Sequence, residues 1–529
     1  MTFQEMKPLP LGTSSFSTLR ENNEIYVDKT SMIYEMARSR GKYFITRPRR
    51  FGKSLLVSTF ESLFKYGLRD FNGLAIENLW NDKTYTVLRL DFSLVKDFNT
   101  IDEFLYRFNV MLDEVVIQTG IELMAKNDDP IARFSAFLSQ CANNSIVLLI
   151  DEYDAPLTAL LHQKNLFDQV RVILSQFYAG IKSYERCLRF FFMTGITKFS
   201  NTSIFSAFNN LTDISLVPAY GTLLGITEDE LNHYFGRYIE KAANQLNLSQ
   251  SEVVEKLRLN YDGFSFDNKA KTHVYCPWSI LQFFNQPDNG FQNYWYQSGG
   301  QPTVLLQYLA QHALVTPAHY NESIVIPISD LDASRHYNEI NIDVLLTQSG
   351  YLTAKEIIGE GYVRLGYPNQ EVASSMARLY ADELLRHQNR MVLGIPLLPV
   401  MMANESVDLV IDHFNKVFNA IDFNRYPIVD EASCRAFLQV LLIGAAMMPR
   451  VETHTAHGRS DLEVDAGQRH WVFEFKYAKN VHEADALLAE AIEQVKTRQY
   501  GEVPQTNELV RVALVFGKEE RQVVKWSTI

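Results

Sequence analysis

The sequence predicts an α/β chain in three regions: an N-terminal, mostly parallel sheet covered by helices on both faces, a helical middle region, and a C-terminal α/β domain. Three observations carry this. Apolar strand-like runs alternate with helical patterns from residue 43 to about residue 225; helical spacing then takes over; and after residue 430 a strand pair is followed by an amphipathic helix. The boundaries drawn from these shifts are 1–225, 226–420 and 421–529. A chain of 529 residues exceeds one ordinary core, and neither an internal repeat nor a low-complexity linker marks the joints.

Taken in order, YFITR (43–47) runs through a loop into KSLLVSTFESLFKYG, whose apolar residues recur at helical spacing. The runs TVLRLDFS (85–92), SIVLLI (145–150) and LRFFFMTGI (188–196) follow, separated by patterns such as IDEFLYRFNVMLDEVV. Strands alternating with helices imply a parallel sheet buried on both faces. From about residue 225 the helical region opens with TEDELNHYFGRYIEKA, where Thr227 and Glu230 have capping-box spacing. The turns YDGFSF (261–266) and YCPWSI (275–280) interrupt it, and residues 300–420 read as helices with loops and no nameable chemistry. In the last region GRSDLEV (458–464) and WVFEFKYA (471–478) read as strands joined by the turn DAGQRH. The helix EADALLAEAIEQVKTRQY, with apolar Ala484, Leu487, Leu488, Ala491 and Val495, is expected to cover them.

With 47% hydrophobic and 21% charged residues the composition is globular. A net charge of −12 gives no global attraction to a polyanion, so nucleic-acid binding would need a local basic patch. Cys141, Cys187, Cys276 and Cys434 lie far apart with no CxxC pair, which argues against a disulfide framework and a thiolate zinc site. The start MTFQEMKPLPLGTSSF lacks the pattern of a signal peptide. The longest apolar stretch, Val440 to Met448, is too short to span a bilayer. These features read as a cytoplasmic protein without a membrane partner.

RPRRFGKSLL places Gly52, Lys53 and Ser54 between a strand and a helix. Glycine there lets the backbone approach a phosphate, the helix N-terminus binds the anion, Lys53 neutralises the β and γ charges, and Ser54 can hold Mg²⁺. The full pattern asks for a glycine five residues before Gly52, where Arg47 stands. Arg47, Arg49 and Arg50 add positive charge to the loop. SIVLLI ends in Asp151 and Glu152, at the carboxyl end where ligands sit in such sheets. Asp151 would hold Mg²⁺ and Glu152 would polarise an attacking water. Thr194, Thr197 and Lys198, just past the core of the next strand, stand where a γ-phosphate sensor would be, or at a strand end turning to solvent.

Together LPLGTSSFSTLRENNEIYVDKT, RPRRFGKSLL, LLIDEYD, MTGITKFS, YDGFSF and YCPWSI resemble, in order across residues 8 to 300, the AAA-ATPase-like family of bacterial proteins. That family typically carries a small nuclease-like domain at the C-terminus, and its phosphate loop begins RPRRFGKS, so Arg47 is no defect. The resemblance implies a P-loop fold, ATP binding by Lys53 and Ser54, and metal or hydrolytic roles for Asp151 and Glu152.

In WVFEFKYA the side chains alternate, so Val472, Glu474 and Lys476 share one face while Trp471, Phe473, Phe475 and Tyr477 share the other. If Asp461 projects from the neighbouring strand, two carboxylates and an ammonium converge. Asp461 and Glu474 would then hold Mg²⁺, with the Phe475 carbonyl as an extra ligand, and Lys476 would position or deprotonate water or neutralise the transition state. ETHTAHGRSDLEV, WVFEFKY and AIEQVKTRQY, over about residues 430 to 515, resemble the PD-(D/E)XK nuclease superfamily, which implies a restriction-endonuclease-like fold. In the branch found behind AAA-ATPase-like domains the helix carries a Gln and a Tyr, matched by Gln494 and Tyr500, and Glu452 matches an acidic position before the Asp.

The expectation is therefore an ATP-binding and hydrolysing protein with a Mg²⁺-dependent nuclease, an endonuclease acting on DNA, with room for a homo-oligomer and for a role in defence or mobile-element biology. The alternative is a non-catalytic, nucleotide-dependent switch whose nuclease-like domain only binds nucleic acid or a protein. His454 and His457 form HxxH but lack a third zinc ligand nearby. YDGFSF and YWYQSGG are read as core and turn packing rather than as base-stacking platforms.

Overall fold

The apolar runs with least polar alternation form the centre of a parallel sheet. Strands β1 (Lys42–Thr46), β2 (Thr86–Asp91), β3 (Ile146–Asp151), β4 (Leu188–Gly195) and β5 (Thr212–Asp213) lie in the order β2-β3-β4-β1-β5, and every pairing is parallel. All residues of β3 and β4 are buried, as expected of central strands covered on both faces. The computed structural model describes residues 6–121, 129–161, 163–198, 211–297, 324–332, 341–384, 394–421, 423, 427–445, 447, 449–451, 454–455, 458–498 and 508–529. The chain divides into two units, Met1–Tyr308 with Ser323–Val372, and Leu309–Glu322 with Ala373–Ile529.

In the first unit the helix Lys53–Tyr66 buries Leu56, Val57, Phe60, Leu63 and Phe64, the stripe its spacing predicts. Phe60 packs 4.9 Å from Phe190 and 4.8 Å from Phe192, which seats the helix on the sheet directly after β1. Burying a phenylalanine contributes about 1.5–3 kcal/mol, so this contact helps to anchor the helix on the sheet. The helices Ile101–Ile117, Pro130–Gln140 and Lys164–Ser183 fill the core on β2, β3 and β4 with Phe104, Phe108, Phe134 and Phe177.

Beyond residue 225 the helix Glu228–Leu246 starts at the expected capping box, with both the Thr227 and the Glu230 bonds present. The region is mainly helical, but three strands also occur, β6 (Ile324–Pro327), β7 (Thr353–Ile358) and β8 (Tyr362–Gly366), in an antiparallel sheet of order β6-β8-β7. These were not read from the sequence. The strands are short, and the turn Gly359–Glu360–Gly361 was the available hairpin signal.

In the second unit the expected strand pair is the middle of a larger sheet. Strands β9 (Arg450–Val451), β12 (Leu462–Ala466), β13 (Arg469–Ala478), β14 (Glu508–Gly517) and β15 (Gln522–Thr528) take the order β15-β14-β13-β12-β9, with β13 and β14 parallel, while β10 (His454–Thr455) and β11 (Gly458–Arg459) form a separate hairpin. GRSDLEV is thus broken: Ser460 and Asp461 lie between β11 and β12. The helix Ala484–Arg498 packs Val495 with Val472, and Ala484 with Ala478 and Val515, and so covers the strands as expected. The Trp471 indole N–H donates to the Met402 carbonyl at 3.0 Å.

One carboxylate in the first unit is buried for structure. Glu371 is 2% exposed and accepts from the Tyr294 and Trp295 backbone N–H groups at 2.7 and 2.9 Å and from the Ser279 hydroxyl at 2.8 Å. Burial pushes its carboxyl up to about 8, against those hydrogen bonds. A folded value above the unfolded one means that the group's stabilisation is present at low pH and is lost as pH rises through about 8. Glu371→Gln keeps the amide carbonyl for the two N–H groups and removes the titration. The melting temperature of the wild type is therefore expected to fall more steeply between pH 6 and pH 9 (working values chosen about the pKa) than that of Glu371→Gln. Parallel curves would contradict this account.

Candidate functional site

β1 ends at Thr46, which is level with Gly195 at the end of β4, and Asp151 ends β3 level with Asp91. The carboxyl ends of these four strands thus open on one side, and the phosphate loop leaves from the end of β1, between β4 and β5. Gly52 caps the helix Lys53–Tyr66 with φ +88°, and Arg50 is also left-handed at φ +74°. A Cβ at Gly52 would find its nearest neighbour only at 4.0 Å, so backbone conformation rather than space demands glycine there.

The Lys53 ammonium donates to the carbonyls of Arg47 and Pro48, both at 2.9 Å, and is 7% exposed. Burial brings it down to about 8, opposed by the carboxylates of Glu152, Asp154 and Asp151. Asp151, 1% exposed, accepts the Thr194 hydroxyl proton at 2.7 Å and lies 3.9 Å from the Arg89 guanidinium. Glu152 sits at φ +49°, a conformation that costs a non-glycine residue about 1–3 kcal/mol. Burial raises its carboxyl, and Lys53 opposes the shift. Lys53, Asp151, Glu152 and Thr194 are thus brought together, and Ser54 is half-buried on the first turn of the same helix.

The arginines are placed differently. Arg47 is 1% exposed, and its guanidinium donates to the carbonyls of Thr46, Ser215 and Tyr220. The Arg50 guanidinium lies 4.2 Å over the Trp278 ring, and Arg49 acts electrostatically on both Lys53 and Glu152. Lys198 is buried and paired with Asp213 at 2.7 Å, while Thr197 is held by Asp154. Sequence reasoning passed over Asp154, whose carboxylate also accepts the Ile196 N–H and so ties β3 to the end of β4. Its signal was the second aspartate of DEYD. An apolar cavity of about 120 Å³ adjoins Gly52, lined among others by Ile25, Val27, Leu224 and Phe235.

In the second unit Leu462 pairs with Phe473, which sets Asp461 level with Glu474. One Asp461 oxygen accepts the Phe475 N–H at 2.9 Å, and the other lies 3.8 Å from the Arg435 guanidinium. Glu474 is 1% exposed, with the Lys476 ammonium 4.0 Å away. That ammonium also lies 3.5 Å from Glu490 and 3.8 Å from Glu431. Asp461, Glu474 and Lys476 therefore gather as the strand alternation implies, and half-buried Gln494 stands one turn beyond Glu490 on the covering helix. Among the described residues no three His, Cys, Asp or Glu side chains are placed as a metal-binding group. Glu452, Tyr500 and His457 lie outside the described residues, as does the side chain of His454.

Sequence reasoning missed Glu431, Arg435 and Glu490. Glu431 follows the helix cap Asp430, which disguises it as a capping acid. Burial raises its carboxyl, with Lys476 opposing and Asp461 adding to the shift. A second network flanks the site: His470, fully buried, has Nδ1 2.6 Å from Asp465 and Nε2 3.5 Å from Glu463, and Glu463 accepts the Ser460 hydroxyl proton at 2.6 Å.

The Asp151 bond offers a direct test of this geometry. Thr194→Val removes the hydroxyl and leaves a buried carboxylate oxygen without that donor. Urea denaturation of the nucleotide-free protein is expected to show a loss of about 1–3 kcal/mol; an unchanged midpoint would count against the bond.

Residues 10–205 match the family model described as "Predicted AAA-ATPase", and residues 430–526 match that of the "PD-(D/E)XK nuclease superfamily". A protein of Azotobacter chroococcum mcd 1, described as "Uncharacterized protein in vnfD 5'region", is 28% identical over 542 residues, covering 98% of this chain and 98% of its own length. No helix among the described residues is long and apolar enough to cross a membrane. The chain thus carries a predicted AAA-ATPase domain of the AAA-ATPase-like family near its N-terminus and a PD-(D/E)XK nuclease superfamily domain at its C-terminus.

Proposed function

We propose that the protein binds and hydrolyses ATP in its first unit and cleaves phosphodiester bonds of DNA, with Mg²⁺, in its second. The observation that carries this reading is shared by both sites: a lysine, Lys53 on the helix after β1 or Lys476 on β13, is buried beside carboxylates. Buried charge of this kind is costly to the fold and gathers where chemistry needs it.

At the first site phosphate oxygens are stronger acceptors for the Lys53 ammonium than the two carbonyls that now hold it. The N-terminus of the helix Lys53–Tyr66 receives the same anion, and the apolar cavity beside Gly52 takes the base. Ser54 and Asp151 would hold Mg²⁺, and Glu152 would polarise the attacking water. At the second site Asp461 and Glu474 supply the hard oxygen donors that suit Mg²⁺, and the Phe475 N–H fixes the orientation of Asp461. Bound Mg²⁺ supplies charge stabilisation on phosphate oxygens and lowers the pKa of water. Lys476 orients that water or offsets charge on the scissile phosphate.

Lys53→Ala is expected to weaken ATP binding about 10- to 100-fold, the contribution of a charge-assisted hydrogen bond. Equal affinity in the two proteins would defeat the phosphate-loop reading. Glu152→Gln should keep ATP affinity and slow hydrolysis about 10²- to 10⁴-fold. At the second site, Asp461→Ala and Glu474→Ala should abolish cleavage of plasmid and linear DNA at every Mg²⁺ concentration while the far-ultraviolet circular dichroism is unchanged. Cleavage surviving in Glu474→Ala would place the activity elsewhere. Wild-type protein that binds DNA but cleaves neither DNA nor RNA with Mg²⁺ and ATP would favour the non-catalytic switch.

A further inference from the structure

The motifs YDGFSF and YCPWSI belong to neither reacting centre, yet their rings surround the phosphate loop. Phe51, one residue before Gly52 and 1% exposed, meets Phe264 edge-to-face at 4.9 Å and Phe266 at 5.0 Å. Those two rings lie nearly parallel to each other, 6.4 Å apart. The Arg47 guanidinium covers the Phe266 ring at 4.3 Å, and that of Arg50 covers Trp278 at 4.2 Å. From another side Gly350 approaches so closely that a Cβ on it would meet Pro48 at 2.8 Å. Arg47, Pro48, Arg50 and Phe51 are therefore all gripped by elements from later in the same unit.

The loop has a physical need for this grip. Arg50 and Gly52 are both left-handed, and Arg50 pays a steric penalty that glycine would avoid. The glycine that usually begins such a loop is replaced by Arg47. A strained loop keeps its shape only where the surroundings over-determine it, and edge-to-face rings supply direction as well as burial.

We propose that Phe51 is a positioning residue that, seated against Phe264 and Phe266, holds the phosphate loop in its anion-binding shape, the task a glycine at position 47 would otherwise share. This rests on the reading of Lys53 as a phosphate ligand. The effect falls on the phosphates and not on the base, although Phe51 also lines the apolar cavity.

The test uses the full chain and two probes, ATP and inorganic tripolyphosphate, with dissociation constants from calorimetry and melting temperatures without ligand. Phe51→Leu and Phe266→Leu keep apolar volume but lose the ring contacts. Each is expected to weaken both probes about tenfold, and the double variant should lose less than the product of the two. Phe177→Leu, in the core away from the loop, should lower the melting temperature and leave both dissociation constants unchanged. Should Phe51→Leu fail to fold, Phe266→Leu carries the same expectation. Wild-type affinity for both probes in the folded loop variants would overturn the proposal, as would a loss for ATP alone, which marks base contact, or an equal loss in Phe177→Leu. If Lys53→Ala retains wild-type affinity, or the wild type binds neither probe, the phosphate-ligand reading falls and the proposal falls with it.

Discussion

A guanidinium with almost no access to water holds the mouth of the sheet together. Arg47 continues β1, its backbone N–H reaches the Gly195 carbonyl at the end of β4, and its side chain gathers the carbonyls of Thr46, Ser215 and Tyr220. Burial brings the group down to about 9, opposed by Asp213. Three carbonyl acceptors and an aromatic face do not amount to a carboxylate partner; the two terminal nitrogens carry the hydrogen bonds, and the buried Nε has no hydrogen-bond partner among the described residues. The backbone carbonyls of Arg47 and Pro48 are in turn the acceptors of the Lys53 ammonium. The position of the lysine thus depends on a residue whose own charge is directed away from it.

The frame of the first unit was legible because its determinants are local. Short apolar runs alternating with helical patterns point to central strands in a covered sheet, and the capping box at Thr227 is written in four consecutive residues. The strand ends then located Asp151 and Glu152 without further information. The direction of a side chain was not legible. Arg47, Arg49 and Arg50 looked alike as added charge, and only tertiary packing distinguishes the buried Arg47 from Arg50 lying on Trp278. The short strands β6, β7 and β8 escaped because an antiparallel sheet of four to six residues per strand leaves little periodicity, and the Gly359–Gly361 turn was its clearest mark.

At the second site alternation was sufficient to align Glu474 with Lys476, since strand geometry leaves no choice of face. Asp461 was placed on the right side although it precedes β12, because the register Leu462 to Phe473 carries it level with Glu474. Glu431 and Glu490 come from two helices separated by more than fifty residues in sequence, and no spacing rule links either to Lys476. They surround the ammonium from sides that the strand pattern does not address.

The Trp471 hydrogen bond to Met402 bears on where this nuclease-superfamily fold begins. The family match starts at residue 430, yet Met402 lies well before it, as do further partners of the same sheet, among them Glu405, Phe414, Asn415 and Phe418. The Asn415 side-chain amide both donates to the Val523 carbonyl and accepts its N–H, so it pairs with one residue of β15 as a further strand would. Phe414 and Phe418 lie against Phe473 and Phe516. A chain cut at the family boundary would leave an indole N–H, two aromatic faces and a strand edge facing water, the conditions under which sheets pair with other copies instead of folding alone. The packing of this fold therefore reaches beyond the matched segment 430–526, and it takes in the helices Leu398–Asn404 and Val407–Phe418 as a wall.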